Sequence, residues 1–126
     1  MGVRFLLDTN SIVALLNANM QLIKLIENAD ELYISVINEL EFKSFSNISQ
    51  QDVALFNEFA AGINVIDLIA SNQGLKSKVI EMRNQYRLKL PDAIIAASAI
   101  VNNIVLITAD KGFKKVAELQ LIIIEQ

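Results

Sequence analysis

The sequence predicts an α/β fold with three layers, α/β/α, around a mostly parallel central sheet. Three observations carry that prediction. Short apolar runs at residues 3–7, 32–35, 63–66, 104–107 and 121–124 are too brief for helices and read as strands, the first of them buried on both faces. Segments with apolar residues at helical spacing separate these runs. Strands alternating with helices make layered α/β architectures rather than sandwiches or bundles. With 126 residues, 53% of them hydrophobic, the chain can bury a core without disulfides or structural metal.

The elements follow in order. After the first strand, Asp8-Thr9-Asn10 supplies helix-cap chemistry, and Ile12, Val13, Leu15 and Leu16 recur at helical spacing. Leu22, Ile23, Leu25 and Ile26 mark a second short helix ending near Asn28. The strand at 32–35 leads into a helix from Val36, with Val36, Ile37, Leu40 and Phe45 expected inward. Ser46 to Ser49 forms a polar turn, and Leu55, Phe56 and Phe59 lie on a helix closed by Gly62. The strand at 63–66 precedes one long helix expected over 69–89, with Leu75, Val79 and Met82 on its apolar face. Pro91 suits a helix start, where its missing N–H is not needed. Residues 93–101 then form a small-residue, buried helix; 111–117 form a short helix between the last two strands. No repeat, linker or low-complexity stretch divides the chain, so one domain over residues 1–126 is expected.

Composition excludes several chemistries. The chain has no Cys and no His, which removes thiolate nucleophiles, cysteine zinc sites, imidazole bases and Ser-His-Asp triads. A net charge of −3 gives no broad attraction to nucleic acid, so a polyanionic partner would need a local basic patch or a metal. The N-terminal apolar run is broken by Asp8, Asn10 and Ser11 and does not read as a signal peptide. No stretch approaches the ~18 apolar residues of a membrane span. A soluble, cytoplasmic protein is the expectation.

Carboxylates, Lys and hydroxyls remain to carry chemistry, and four acids stand out by position: Asp8 after the first strand, Glu39 early in the helix after the second, Asp92 in the first turn of its helix, and Asp110 just beyond the 104–107 strand. In a parallel sheet all strand C-termini lie along one edge, with neighbouring strand ends roughly 5 Å apart. Singly, each acid reads as a cap, a turn former or a solvated helix residue. Jointly they fall at one edge, and carboxylates gathered there suit a hard cation. The second acid is ambiguous between Glu39 and Glu41; register with the preceding strand favours Glu39.

The same residues resemble a known family. Leu6-Leu7-Asp8-Thr9-Asn10, the Ser35 to Leu40 segment with Glu39, Pro91-Asp92-Ala93 through Ala97, and Thr108-Ala109-Asp110 through Phe113 together resemble the motifs of PIN-domain ribonucleases. More narrowly they resemble VapC-type toxins of prokaryotic toxin–antitoxin pairs. The resemblance spans nearly the whole chain and implies a PIN-like nuclease domain. It implies an endoribonuclease in which Asp8, Glu39, Asp92 and Asp110 hold one or two Mg²⁺ or Mn²⁺ ions and a metal-activated water cleaves single-stranded RNA. Thr9, Asn10 and Thr108 would orient the carboxylates, or Thr9 and Asn10 would only cap the first helix. Lys89 and Lys111 are candidate RNA contacts. Implied partners are RNA, single-stranded or structured, a cognate protein antitoxin and a second copy of the chain in a homodimer, with no membrane.

Three alternatives differ in class. A haloacid dehalogenase-type phosphatase wants a second Asp where Asn10 stands. A phospho-accepting receiver domain wants paired acids early in the chain, and none open it. A PIN-like module that binds RNA or protein without turnover would keep the fold and leave RNA intact in Mn²⁺.

Overall fold

The computed structural model describes residues 2–125. Among them, five strands form one all-parallel sheet: β1 (Arg4–Leu7), β2 (Glu31–Ser35), β3 (Asn64–Ile66), β4 (Val105–Thr108) and β5 (Leu121–Ile123), in the order β3-β2-β1-β4-β5. Helices α1 (Thr9–Leu16) and α2 (Met20–Glu27) connect β1 to β2; α3 (Val36–Lys43) and α4 (Gln50–Ala61) connect β2 to β3. Helices α5 (Gln73–Tyr86) and α6 (Leu90–Asn102) connect β3 to β4, and a 3-10 turn at Lys111–Lys115 precedes β5.

The central strand shows why the apolar runs are unbroken. Leu6 and Leu7 are both fully buried but point to opposite faces, as successive strand residues must. Leu6 and Leu106 join the core under α5 and α6, with Leu75, Met82 and Ile95. Phe5, Leu7 and Ile107 join the core under the first four helices, with Ile12, Leu22, Phe42 and Phe56. Two cores on one sheet make the three layers. No helix among the described residues is long and apolar enough to cross a membrane.

Two expectations about helices need correction. The 69–89 segment is not one helix: Asn72 caps α5 by accepting the Leu75 N–H at 3.0 Å, and Arg87, with φ of 55°, ends it in the left-handed region. In α3 the inward face is rotated from the expected one. Asn38 and Phe42 are buried, whereas Leu40 is 58% and Phe45 43% exposed. A buried polar residue defines this face, and apolar spacing alone does not register it. Asn38 is held by a capping box: its Oδ1 accepts the Ser35 N–H at 2.7 Å.

A candidate acidic site at the sheet switch point

Chain direction across the sheet reverses between β1 and β4: β2 and β3 lie on one side of β1, β4 and β5 on the other. In open parallel sheets the crevice beyond the strand C-termini at such a point is where ligands bind. Asp8 and Asp110 stand at that crevice, after β1 and β4 respectively.

Asp8 is nearly buried and serves first as the cap of α1, its Oδ1 accepting the Ser11 N–H at 2.9 Å. Its Oδ2 accepts a short hydrogen bond from the Thr108 hydroxyl. That hydroxyl in turn accepts the Asp110 N–H at 2.9 Å. Asp110 caps the 3-10 turn, its Oδ1 accepting the Gly112 N–H at 2.7 Å. The cap reading of both acids is therefore correct as geometry. It does not compete with the cluster, because the caps fix the carboxylates at the crevice and Thr108 ties the Asp8 carboxylate to the Asp110 backbone. Ser11, fully buried, adds a further anchor by donating its hydroxyl to the Ile107 carbonyl at 2.9 Å.

The acid from α3 is Glu41. Its Oε1 accepts the Thr9 hydroxyl at 2.6 Å, and Thr9 Oγ1 accepts Asn38 Nδ2 at 3.0 Å. Asn38 and Glu41 are three residues apart on one helix face, so Thr9 bridges them across from α1. Glu39 instead takes the Lys43 ammonium at 2.6 Å along the outer side of α3. The expectation for Glu39 is thus corrected: the rotated register that buries Asn38 and Phe42 turns residue 41 toward β1 and residue 39 away. Asp92 completes the group from the first turn of α6, after Pro91.

A pocket of about 120 Å³ is lined by Asp8, Thr9, Asn10, Glu41, Phe45, Asp92, Ile95 and Asp110. The structure therefore brings together three of the four expected acids, plus Glu41, with Thr9 and Asn10; Thr108 underlies them through its bond to Asp8. Burial, then the charges of Asp110, Glu41 and Asp8, pushes the Asp92 carboxyl above its ordinary value of 3.8, with Lys89 acting in the opposite sense. Lys89 lines a neighbouring cleft, whereas Lys111 is exposed and lines neither cavity. Asn38 and Ser11 were not singled out from sequence. The one signal for Asn38 is its position three residues after Ser35, which fits a capping box only once the helix start is known.

The donor set is all oxygen, as hard divalent cations require. Among the described residues, no group of three or more acids forms a ready-made cage for an ion. Mg²⁺ ordinarily takes one or two carboxylates directly and keeps several waters. The residues present fit an ion held partly through water.

Comparison with known proteins agrees with this architecture. The chain matches a chain from the structure of VapBC2 from Rickettsia felis bound to a promoter DNA fragment, with a TM-score of 0.82 at 24% identity, covering 98% of this chain and 100% of that one. It matches a chain of a toxin–antitoxin complex from Klebsiella pneumoniae, with a TM-score of 0.75 at 24% identity, covering 96% and 98%. It also matches VapBC-1 from nontypeable Haemophilus influenzae, with a TM-score of 0.79 at 23% identity, covering 96% and 98%. No curated protein matches the chain. The PIN domain family model matches residues 5–119, a span that holds the junctions after β1, β2, β3 and β4 and every acid of the pocket. On that match, the chain belongs to the PIN domain family.

Proposed function

We propose that the chain is a metal-dependent endoribonuclease of single-stranded RNA and the toxin component of a type II toxin–antitoxin pair. The observation that carries this reading is the convergence of Asp8, Glu41, Asp92 and Asp110 on one pocket at the switch point. In a chain without His or Cys, carboxylates with a divalent cation can activate water for phosphodiester hydrolysis without an imidazole base. Bound there, Mg²⁺ or Mn²⁺ supplies an acidified water and neutralises charge on the phosphate. Asp8, Glu41, Asp92 and Asp110 would hold the ion, partly through water; Thr9 and Thr108 fix Glu41 and Asp8 in place. Asn10 stands free at the pocket wall to orient water or substrate.

The partners follow from surface and likeness. VapBC and toxin–antitoxin complexes among the structural neighbours support an antitoxin partner. A groove of about 480 Å³ that shares Phe45 with the acidic pocket, lined by Val13, Phe42, Phe45 and Ile48 on one hand and Asn17, Ser46, Asn47 and Asp52 on the other, offers a protein segment a mixed apolar and polar seat. Exposed Leu68, Ile69, Ile80 and Leu90 support a homodimer, with the chain acting in the cytoplasm.

The test is cleavage of a labelled single-stranded RNA panel in Mn²⁺ or Mg²⁺, with EDTA as control and with Asp8→Asn and Asp92→Asn alongside wild type. Metal-dependent cutting lost in both variants is the expected result. RNA bound but intact in every lane would replace this reading with a binding module.

A further inference from the structure

A second cleft of about 230 Å³ shares Asp92 and Asp110 with the acidic pocket. Its other walls are Arg87, Leu88, Lys89, Gly112, Phe113 and Lys115. The chain is built to present these cations. Leu88 and Phe113 are buried and anchor the floor, whereas Arg87, Lys89 and Lys115 are exposed. The left-handed Arg87 ends α5 abruptly, and the extended Lys89 leads into α6, so both cations stand at the lip between the two helices.

These three are also uncommitted. Among the described residues the salt bridges are Lys43 with Glu39 and Lys78 with Glu81 and Glu118. Arg87, Lys89 and Lys115 have no carboxylate within bridging distance, although two carboxylates line the same cleft. The charge is one-sided. Across the acidic pocket the wall is Asn10, Glu41 and Phe45, and Lys43 beyond it is paired with Glu39. Three cations against two carboxylates leave the cleft net positive beside a net negative pocket. The cleft is smaller than the ~300 Å³ of the smallest usual small-molecule pockets, a size that suits a phosphate group rather than a nucleoside.

We infer that Arg87, Lys89 and Lys115 form a phosphate-gripping subsite for single-stranded RNA, holding a backbone phosphate next to the one at the acids. This rests on the ribonuclease reading and gives the substrate a track: the strand enters over the cationic cleft and crosses Asp92 and Asp110 into the acidic pocket. Because the grip is on the backbone, it is independent of base sequence.

The test measures binding of a labelled mixed-sequence single-stranded RNA to the full chain by fluorescence anisotropy in EDTA, across a salt series. Wild type is compared with Arg87→Gln, Lys89→Gln and Lys115→Gln, and with Lys24→Gln on α2 as a remote control. Each cleft substitution should weaken binding and lower the log–log salt slope by about 0.7, the value for one single-strand phosphate contact; Lys24→Gln should change neither. In Mn²⁺ the same cleft variants should cut with raised KM and unchanged kcat. Thermal melts identify any variant that fails to fold, and Lys89→Gln and Lys115→Gln leave the α5 end intact. RNA bound through these residues but never cut would uphold the subsite and sink the nuclease reading. RNA cut with the same KM and salt slope by every variant would do the reverse. No RNA binding by wild type overturns the subsite outright.

Discussion

Thr9 accepts from Asn38 and donates to Glu41, and so one hydroxyl decides where the α3 acid points. Removing it while keeping the shape, as in Thr9→Val, should lower metal-dependent cleavage about 10- to 100-fold, the usual cost of losing an orienting group behind a metal ligand. Thr9→Ser should restore most of that loss, which a purely steric role for Thr9 would not allow. Gly112 makes a second residue-scale test. A Cβ there would lie 3.0 Å from Asp110 Oδ1, so Gly112→Ala should displace the carboxylate. The neighbour that must move is the oxygen that caps the turn, so cleavage should fall far more than the roughly 1 kcal/mol of stability a lost cap costs. A matching drop in both would mean that the turn itself was damaged. Asp8, Asp92 and Asp110 were legible in the sequence because each stands beside a strand end or a helix start that the apolar pattern locates. Glu41 was not, because choosing it over Glu39 requires the rotation of α3, and that rotation is set by Asn38, a buried polar residue invisible to hydrophobic periodicity.

At the scale of elements, the central strands β1 and β4 were readable because burial on both faces leaves uninterrupted apolar runs, as in Phe5-Leu6-Leu7 and Leu106-Ile107, whereas β3 at the sheet edge is largely exposed. Helix limits were harder. The 69–89 stretch contains enough helix formers to look continuous, but Asn72 and Arg87 bound α5 through a side-chain cap and a left-handed residue. Asn72→Ala should therefore cost about 1 kcal/mol of stability, measured by urea unfolding. No change on substitution would mean that packing of Leu75 and Met82 alone fixes where α5 begins. The break after α5 also has a consequence for the site. It frees residues 87–89 to form the cationic lip and starts α6 afresh, placing Asp92 in a first turn, where free N–H groups favour negative charge.

For the whole molecule, the fold gathers like charges at one crevice, and folding must bear their repulsion. The raised Asp92 carboxyl means that the native state binds more protons than the unfolded chain between pH 3.8 and the raised value. Stability should fall as pH climbs through that window, and the penalty should be absent below pH 3.8. In EDTA at neutral pH, Asp92→Asn should thus melt above wild type, and the gain should vanish in acid; a gain that persists in acid would mean that charge is not its source. Asp8→Asn should not show the gain, because it disturbs the bond from Thr108. Mg²⁺ or Mn²⁺ at about 100 times its Kd should stabilise wild type by about 2.7 kcal/mol, and Asp92→Asn by less. The layered parallel fold was legible from alternation alone, whereas the identity of the crevice depends on strand order, which sequence periodicity does not contain.

The most direct measurement is a side-by-side assay of Glu41→Gln and Glu39→Gln for cleavage of single-stranded RNA in Mn²⁺. Loss of more than about 100-fold in Glu41→Gln, beyond what an orienting residue costs, with Glu39→Gln close to wild type, is the predicted result. Activity retained in Glu41→Gln, or lost in Glu39→Gln instead, would contradict a metal-dependent centre built from Asp8, Glu41, Asp92 and Asp110.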